Sequence, residues 1–130
     1  MLADNLKIVQ EKIEASLQKR KEAMQTGDAV TLVAVTKNHA PEVITEALSL
    51  GVECIGENRV QEMTQKLSEN AYEGAPLHFI GHLQRNKVRQ VVGKVDLIQS
   101  VGSEALLLEI EKEAAKQAIM QDILLEVNIG

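Results

Sequence analysis

Residues 31–56 read TLVAVTKNHAPEVITEALSLGVECIG, and this stretch decides the fold. Thr31 to Thr36 is a short, nearly continuous apolar run rich in β-branched residues, which predicts a strand buried on both faces. Pro41 suits the first turn of a helix, and Val43, Ile44, Ala47 and Leu48 give that helix an apolar face. Gly51 stands where a C-terminal cap belongs. Val52 to Gly56 then predicts a second short strand. Two strands joined through a helix run parallel, so the stretch reads as a β-α-β unit.

The same alternation continues on both sides. Upstream, Leu6, Val9, Ile13 and Leu17 recur at steps of three and four. They predict an amphipathic helix from about Asp4 to Met24, ended by Thr26-Gly27-Asp28. Downstream come a helix carrying Val60, Met63 and Leu67, a strand from Leu77 to Gly81, and a helix around Asn86 to Val92. A strand from Val95 to Gln99 follows, then a helix from Ser103 to about Gln117 with Leu106, Leu107, Ile110 and Ala114 inward. A last strand covers Ile123 to Val127. The fold class is therefore α/β: a leading helix, repeating βα units of roughly 20–26 residues, and parallel strands with right-handed crossovers.

Five such strands fit two architectures. One is an open doubly wound sheet; the other is the first part of a TIM-type (β/α)8 barrel, which usually needs about 250 residues. Val127-Asn128-Ile129-Gly130 follows the fifth strand with no helix to cover it. The expectation is one domain over residues 1–130, a partial barrel belonging to a longer protein.

Composition limits the function. Of 130 residues 45% are hydrophobic and 25% charged, enough for a packed core. The formal net charge of -5 and the presence of only one Tyr and one Phe argue against a nucleic-acid binder. Arg85, Lys87, Arg89 and Lys94 form a small basic cluster that reads as a solvated helix face. Cys54 is the single cysteine, so no intrachain disulfide can form, as in a reducing compartment. No apolar stretch approaches the roughly 20 residues of a membrane helix, and the N-terminus lacks the pattern of a signal peptide. A cytoplasmic, soluble protein is expected, with no membrane and no nucleic acid among its partners.

Ligands of such folds bind at the carboxyl ends of the strands. Those positions hold Thr36-Lys37-Asn38-His39, Glu57-Asn58-Arg59, His82-Leu83-Gln84, Ser100-Val101-Gly102-Ser103 and Asn128. Lys37 follows an apolar strand, and alternation puts it on the face of Val33 and Val35. Partial desolvation there would lower its pKa and free the amine to attack a carbonyl; the alternative is a lysine that snorkels to water. His82 suits either a ligand contact or a backbone partner, His39 a solvated helix start, His78 a structural role, and Cys54 a small core position. Metal-ligand spacing and a Gly-x-Gly-x-x-Gly fingerprint are both missing, so neither a metal nor a dinucleotide is expected.

Four blocks carry a family resemblance: Leu32 to Lys37, Gly56 to Glu62, His78 to Lys87 and Leu125 to Asn128. In this order they resemble the pyridoxal phosphate homeostasis protein family. The resemblance implies an alanine-racemase N-terminal-type barrel with pyridoxal 5'-phosphate (PLP) as cofactor, held as an internal aldimine on Lys37. It implies Asn58 near the cofactor, where an amide can orient the ring or the lysine. His82 and Ser100 are added as cofactor-binding candidates by their strand-end positions alone. The resemblance also implies that the phosphate-binding groups and an arginine facing the pyridine nitrogen come from later strands. Weak retention of PLP is then the expectation for this chain, together with self-association, rearrangement or marginal stability, against a monomer for the full-length form.

The leading functional reading is a non-catalytic PLP carrier in vitamin B6 homeostasis, with PLP-dependent enzymes as partners. A carrier needs the Schiff-base lysine and no second acid or base across the ring. The alternative is an enzyme, either a PLP-dependent amino-acid racemase or an aldolase that uses Lys37 directly on its substrate. A racemase needs an acid/base group on each face, and Tyr72, in a loop after a helix, is not placed as one.

Overall fold

The computed structural model describes residues 1–20 and 29–130. Helix α1 (Leu2–Gln18) leads into β1 (Val33–Val35), α2 (Pro41–Ser49), β2 (Cys54–Glu57), α3 (Val60–Ser68) and β3 (Leu77–Phe79). A 3-10 turn at Arg85–Lys87 runs into the short α4 (Val88–Val91). The chain continues through β4 (Leu97–Val101), α5 (Glu104–Gln117) and β5 (Ile123–Leu125).

All neighbouring strands are parallel, and they form one five-stranded sheet in the order β1-β2-β3-β4-β5. A doubly wound sheet reverses its strand order at a switch point. The unbroken order here is that of a barrel wall, which resolves the choice between the two architectures.

Registered neighbours point to the same side of a sheet, so the pairing sorts the side chains into two faces. Ile55 pairs with Leu77, Glu57 with Phe79, and Phe79 with Ile98. These residues face the helices and are fully or almost fully buried, together with Ile44, Met63, Val88, Val91 and Ile110. Truncating Phe79 at the centre of this layer would cost about 3–5 kcal/mol. The other face carries Val33, Val35, Cys54, Gly56, His78, Leu97 and Gln99. It is only partly covered: Val35 retains 46% of its accessible surface.

The boundaries differ from the sequence expectations for local reasons. Helix α1 ends at Gln18 rather than near Met24; residues 21–24 and the expected stop at Thr26-Gly27-Asp28 lie outside the described residues. Strand β2 starts at Cys54, because the Val52 amide closes the end of α2 by donating to the Ala47 carbonyl at 3.1 Å. Gly51 makes that reversal at φ +94°, a conformation that favours glycine. The expected Asn86–Val92 helix is split between the 3-10 turn and α4. Ser103 caps α5 by accepting the Leu106 N–H at 3.2 Å.

Candidate functional site at the carboxyl ends of the strands

Strand β1 stops at Val35, and the chain turns at once. The His39 amide donates to the Thr36 carbonyl at 3.1 Å, and Asn38 sits at φ +63° in the left-handed region. Lys37 therefore lies in a turn just beyond the strand, and it is exposed. The partial desolvation expected for its amine is not present within this chain.

Behind the turn lies a buried polar cluster. Glu57 is fully buried at the end of β2, on the helix-facing side. Its Oε2 accepts three hydrogen bonds: from Tyr72 Oη at 2.7 Å, Lys66 Nζ at 2.8 Å and Thr36 Oγ1 at 2.9 Å. Lys66 also donates to the Thr36 carbonyl and to Glu62 Oε2, each at 2.8 Å. Glu62 in turn accepts the Asn38 N–H at 2.7 Å. Thr36, Lys66 and Tyr72 are all at least 95% buried, at 4%, 5% and 3% exposure. Burial, then the neighbouring Glu57 carboxylate, pushes the Tyr72 phenol pKa well above its ordinary value. Partial burial works against the Glu62 carboxylate, but the Lys66 and Asn38 hydrogen bonds and the charges of Lys66 and Arg59 outweigh it. The Glu62 pKa is held below the usual glutamate value.

The sequence candidates separate in space. Asn58 and His82 line one cleft of about 810 Å³ between α3 and the Arg85–Val91 segment, with Arg59, Gln61, Gln84 and Lys87. His82 is exposed, whereas Asn58 Oδ1 is buried and has no hydrogen-bond partner. Lys37 and Ser100 do not line that cleft. The Ser100 hydroxyl is engaged at the end of β4, donating to the Gly81 carbonyl at 2.5 Å. His78 pairs with Gln99 across β3 and β4 at 2.8 Å, and exposed His39 precedes α2.

Strand-end reading named Thr36 and Glu57 but missed that Lys66, Glu62 and Tyr72 gather around them. The signals for this cluster were present in the sequence. Glu57 has the alternation parity of Ile55, which makes it core-facing, and Lys66 lies one turn after Glu62 and beside the inward Met63 and Leu67.

The alanine racemase N-terminal domain model matches residues 8–130. The chain belongs to that family. Within it, the pyridoxal phosphate homeostasis protein of Aquifex aeolicus (strain VF5) is 46% identical over 99 residues, covering 76% of this chain and 43% of the relative. That of Buchnera aphidicola subsp. Schizaphis graminum is 30% identical over 127 residues, covering 97% and 54%. Among solved structures, PipY of Synechococcus elongatus PCC7942, with PLP bound, is 34% identical with a TM-score of 0.74. That match covers 92% of this chain and 54% of PipY. An unknown protein from Bifidobacterium adolescentis is also 34% identical, with a TM-score of 0.85 over 97% of this chain and 54% of its own. The chain thus spans about half the length of the family members it matches. The family resemblance and the partial-barrel fold expected from the sequence both hold. No helix among the described residues is long and apolar enough to cross a membrane.

Proposed function

We propose that residues 1–130 form the lysine-bearing part of a PLP-binding barrel, and that Lys37 holds PLP as a Schiff base in the service of PLP homeostasis. PLP supplies an aldehyde whose carbon forms a C=N bond with the Lys37 amine as its oxygen leaves as water. One observation carries the reading. Lys37 sits exposed at the carboxyl end of the first strand, in a chain whose 34%-identical relative PipY has PLP bound. The donor set fits: Asn58 offers a buried acceptor, Oδ1, with no donor of its own, which an O–H or N–H of a bound ligand would satisfy. His82 shares the cleft with Asn58, and Ser100 stands at the end of β4 with its proton committed to Gly81.

Within these residues the reading favours a carrier over a racemase, which remains the alternative. The chain's one tyrosine, Tyr72, is buried against Glu57 and is not available as an acid or base at the strand ends. The cytoplasm is the compartment in which PLP-dependent enzymes would receive the cofactor.

The test is chemical trapping. The wild-type chain mixed with PLP and reduced with borohydride should carry a pyridoxyl label on Lys37, with the imine absorbance lost on reduction. Lys37→Ala should lose both the absorbance and the label. A label that persists on another lysine of the variant overturns the assignment. A borohydride-stable adduct formed with a carbonyl substrate in the absence of PLP would favour the aldolase reading instead.

A further inference from the structure

Two peptide units flank the α-carbon of Lys37, and α3 holds each of them. The first ends in the Thr36 carbonyl, which accepts from Lys66 Nζ at 2.8 Å. The second carries the Asn38 N–H, which donates to Glu62 Oε2 at 2.7 Å. Lys66 and Glu62 are one helical turn apart on α3, and their charged groups meet at 2.8 Å. We propose that these two side chains are a positioning device for Lys37: their hydrogen bonds clamp the peptide planes on both sides of the α-carbon and so fix the root of the side chain. The proposal rests on Lys37 being the PLP-bearing residue.

Three features favour placement over bulk stability. The pair is part-buried, with side-chain exposures of 6% for Lys66 and 21% for Glu62, so desolvation of the lysine offsets much of its attraction. Lys66 is nonetheless 5% exposed and fully committed: its three ammonium N–H groups match three acceptors, the Thr36 carbonyl, Glu57 and Glu62. The clamp also encloses a strained segment. Asn38 is held at φ +63°, which costs energy for any residue with a β-carbon and persists only when its surroundings enforce it. Finally, the clamp grips only backbone, so it leaves the Lys37 amine free to react while the main chain around it is fixed. Loss of such alignment is where catalytic and binding geometry is most sensitive.

The primary variant is Glu62→Ala, since Glu62 is at the edge of the cluster; Lys66→Met is the second. Two readouts are taken on the wild-type and variant chains. Amide hydrogen exchange at Asn38 needs no cofactor and should accelerate by about tenfold or more in Glu62→Ala. The rate of borohydride-trapped PLP labelling at Lys37 should fall by about tenfold or more. Glu62→Gln, which keeps an acceptor for Asn38, should recover most of both. Gln121→Ala is the control for general loosening. It strips hydrogen bonds from the Gly93 amide and the Val95 carbonyl, remote from the turn, and should label Lys37 at the wild-type rate. Unchanged Asn38 exchange in Glu62→Ala overturns the clamp. Faster exchange with an undiminished labelling rate overturns its positioning role, as does equal slowing by Gln121→Ala. A wild-type label found on a residue other than Lys37 refutes the assignment of the lysine instead, and the position of the label tells the two failures apart.

Discussion

Gly81 lies flat against the backbone of Asn58. A β-carbon built on Gly81 would stand 2.7 Å from the Asn58 α-carbon and would meet its carbonyl oxygen more closely still. The obstruction is main chain, which cannot swing aside as a side chain can. The loop after β3 is thereby seated on the end of β2, and Ser100 fastens it from the other side. Gly81→Ala should cost about 1–3 kcal/mol by overpacking. Urea denaturation should show a lower midpoint with an unchanged slope, and an unshifted midpoint would mean that the loop has room to withdraw.

Asn58→Ala should act in opposite directions on stability and binding. Removing Oδ1 deletes a buried acceptor that has no partner, so the ligand-free chain should be no less stable. PLP should still be trapped on Lys37, with affinity weakened by about 1–3 kcal/mol. Equal affinity for PLP in wild-type and variant would remove Asn58 from the site.

Glu62 should set part of the acid limit of stability. Its pKa is lower folded than unfolded, because Lys66, Asn38 and Arg59 favour the charged form against the opposing effect of burial. Its contribution is complete above the ordinary glutamate value of 4.5 and is lost as pH falls through the lower folded value. Denaturation midpoints measured between about pH 6 and pH 3 should fall less steeply for Glu62→Gln than for wild-type.

Tyr72 should act at the alkaline end. Burial and the Glu57 carboxylate raise its folded pKa above the ordinary 10.0, so the protein holds the neutral phenol. That contribution is complete below the unfolded value and drains away as pH rises beyond it. Tyr72→Phe should be less stable at neutral pH by about 1.5–3 kcal/mol, the worth of a hydrogen bond to a charged group. Its stability should also decline less than wild-type above about pH 10. Parallel alkaline curves for the two proteins would show that Tyr72 does not carry the effect.

Apart from the C-terminal end of α1, apolar periodicity located the strands and helices among the described residues to within a few positions, because each element must bury one face. That Ile55, Leu77 and Phe79 share one side of the sheet follows from the strand register, which only the structure supplies. Lys37 shows where reading by alternation stops. Alternation assumes that the strand continues, whereas the chain turns at Thr36 and passes through the left-handed Asn38. The Glu57 cluster was hidden for a different reason. Its hydrogen-bonded partners are separated by as many as 30 positions, as in Lys66 and Thr36, and only the folded arrangement pairs their charges. Asn58, named from the family resemblance, and His82, named for its strand end, line one cleft; Ser100, named on the same ground as His82, does not.

The unbroken strand order also bears on how the molecule is made. Each strand pairs with the one synthesised just before it, across connections of roughly 20 residues, so each addition closes a short loop at modest entropic cost. The sheet can therefore assemble vectorially as the polypeptide leaves the ribosome, without waiting for a distant partner. A sheet with reversed strand order must leave an inner edge vacant until later sequence arrives. Here the open edge beyond β4 is filled by the newest strand, β5, whose Leu124 and Leu125 remain 50% and 64% exposed. During synthesis the sheet thus keeps two open edges, a fixed one at β1, where Val35 stays half exposed, and a moving one at the newest strand, and exposed strand edges of this kind are where nascent chains aggregate.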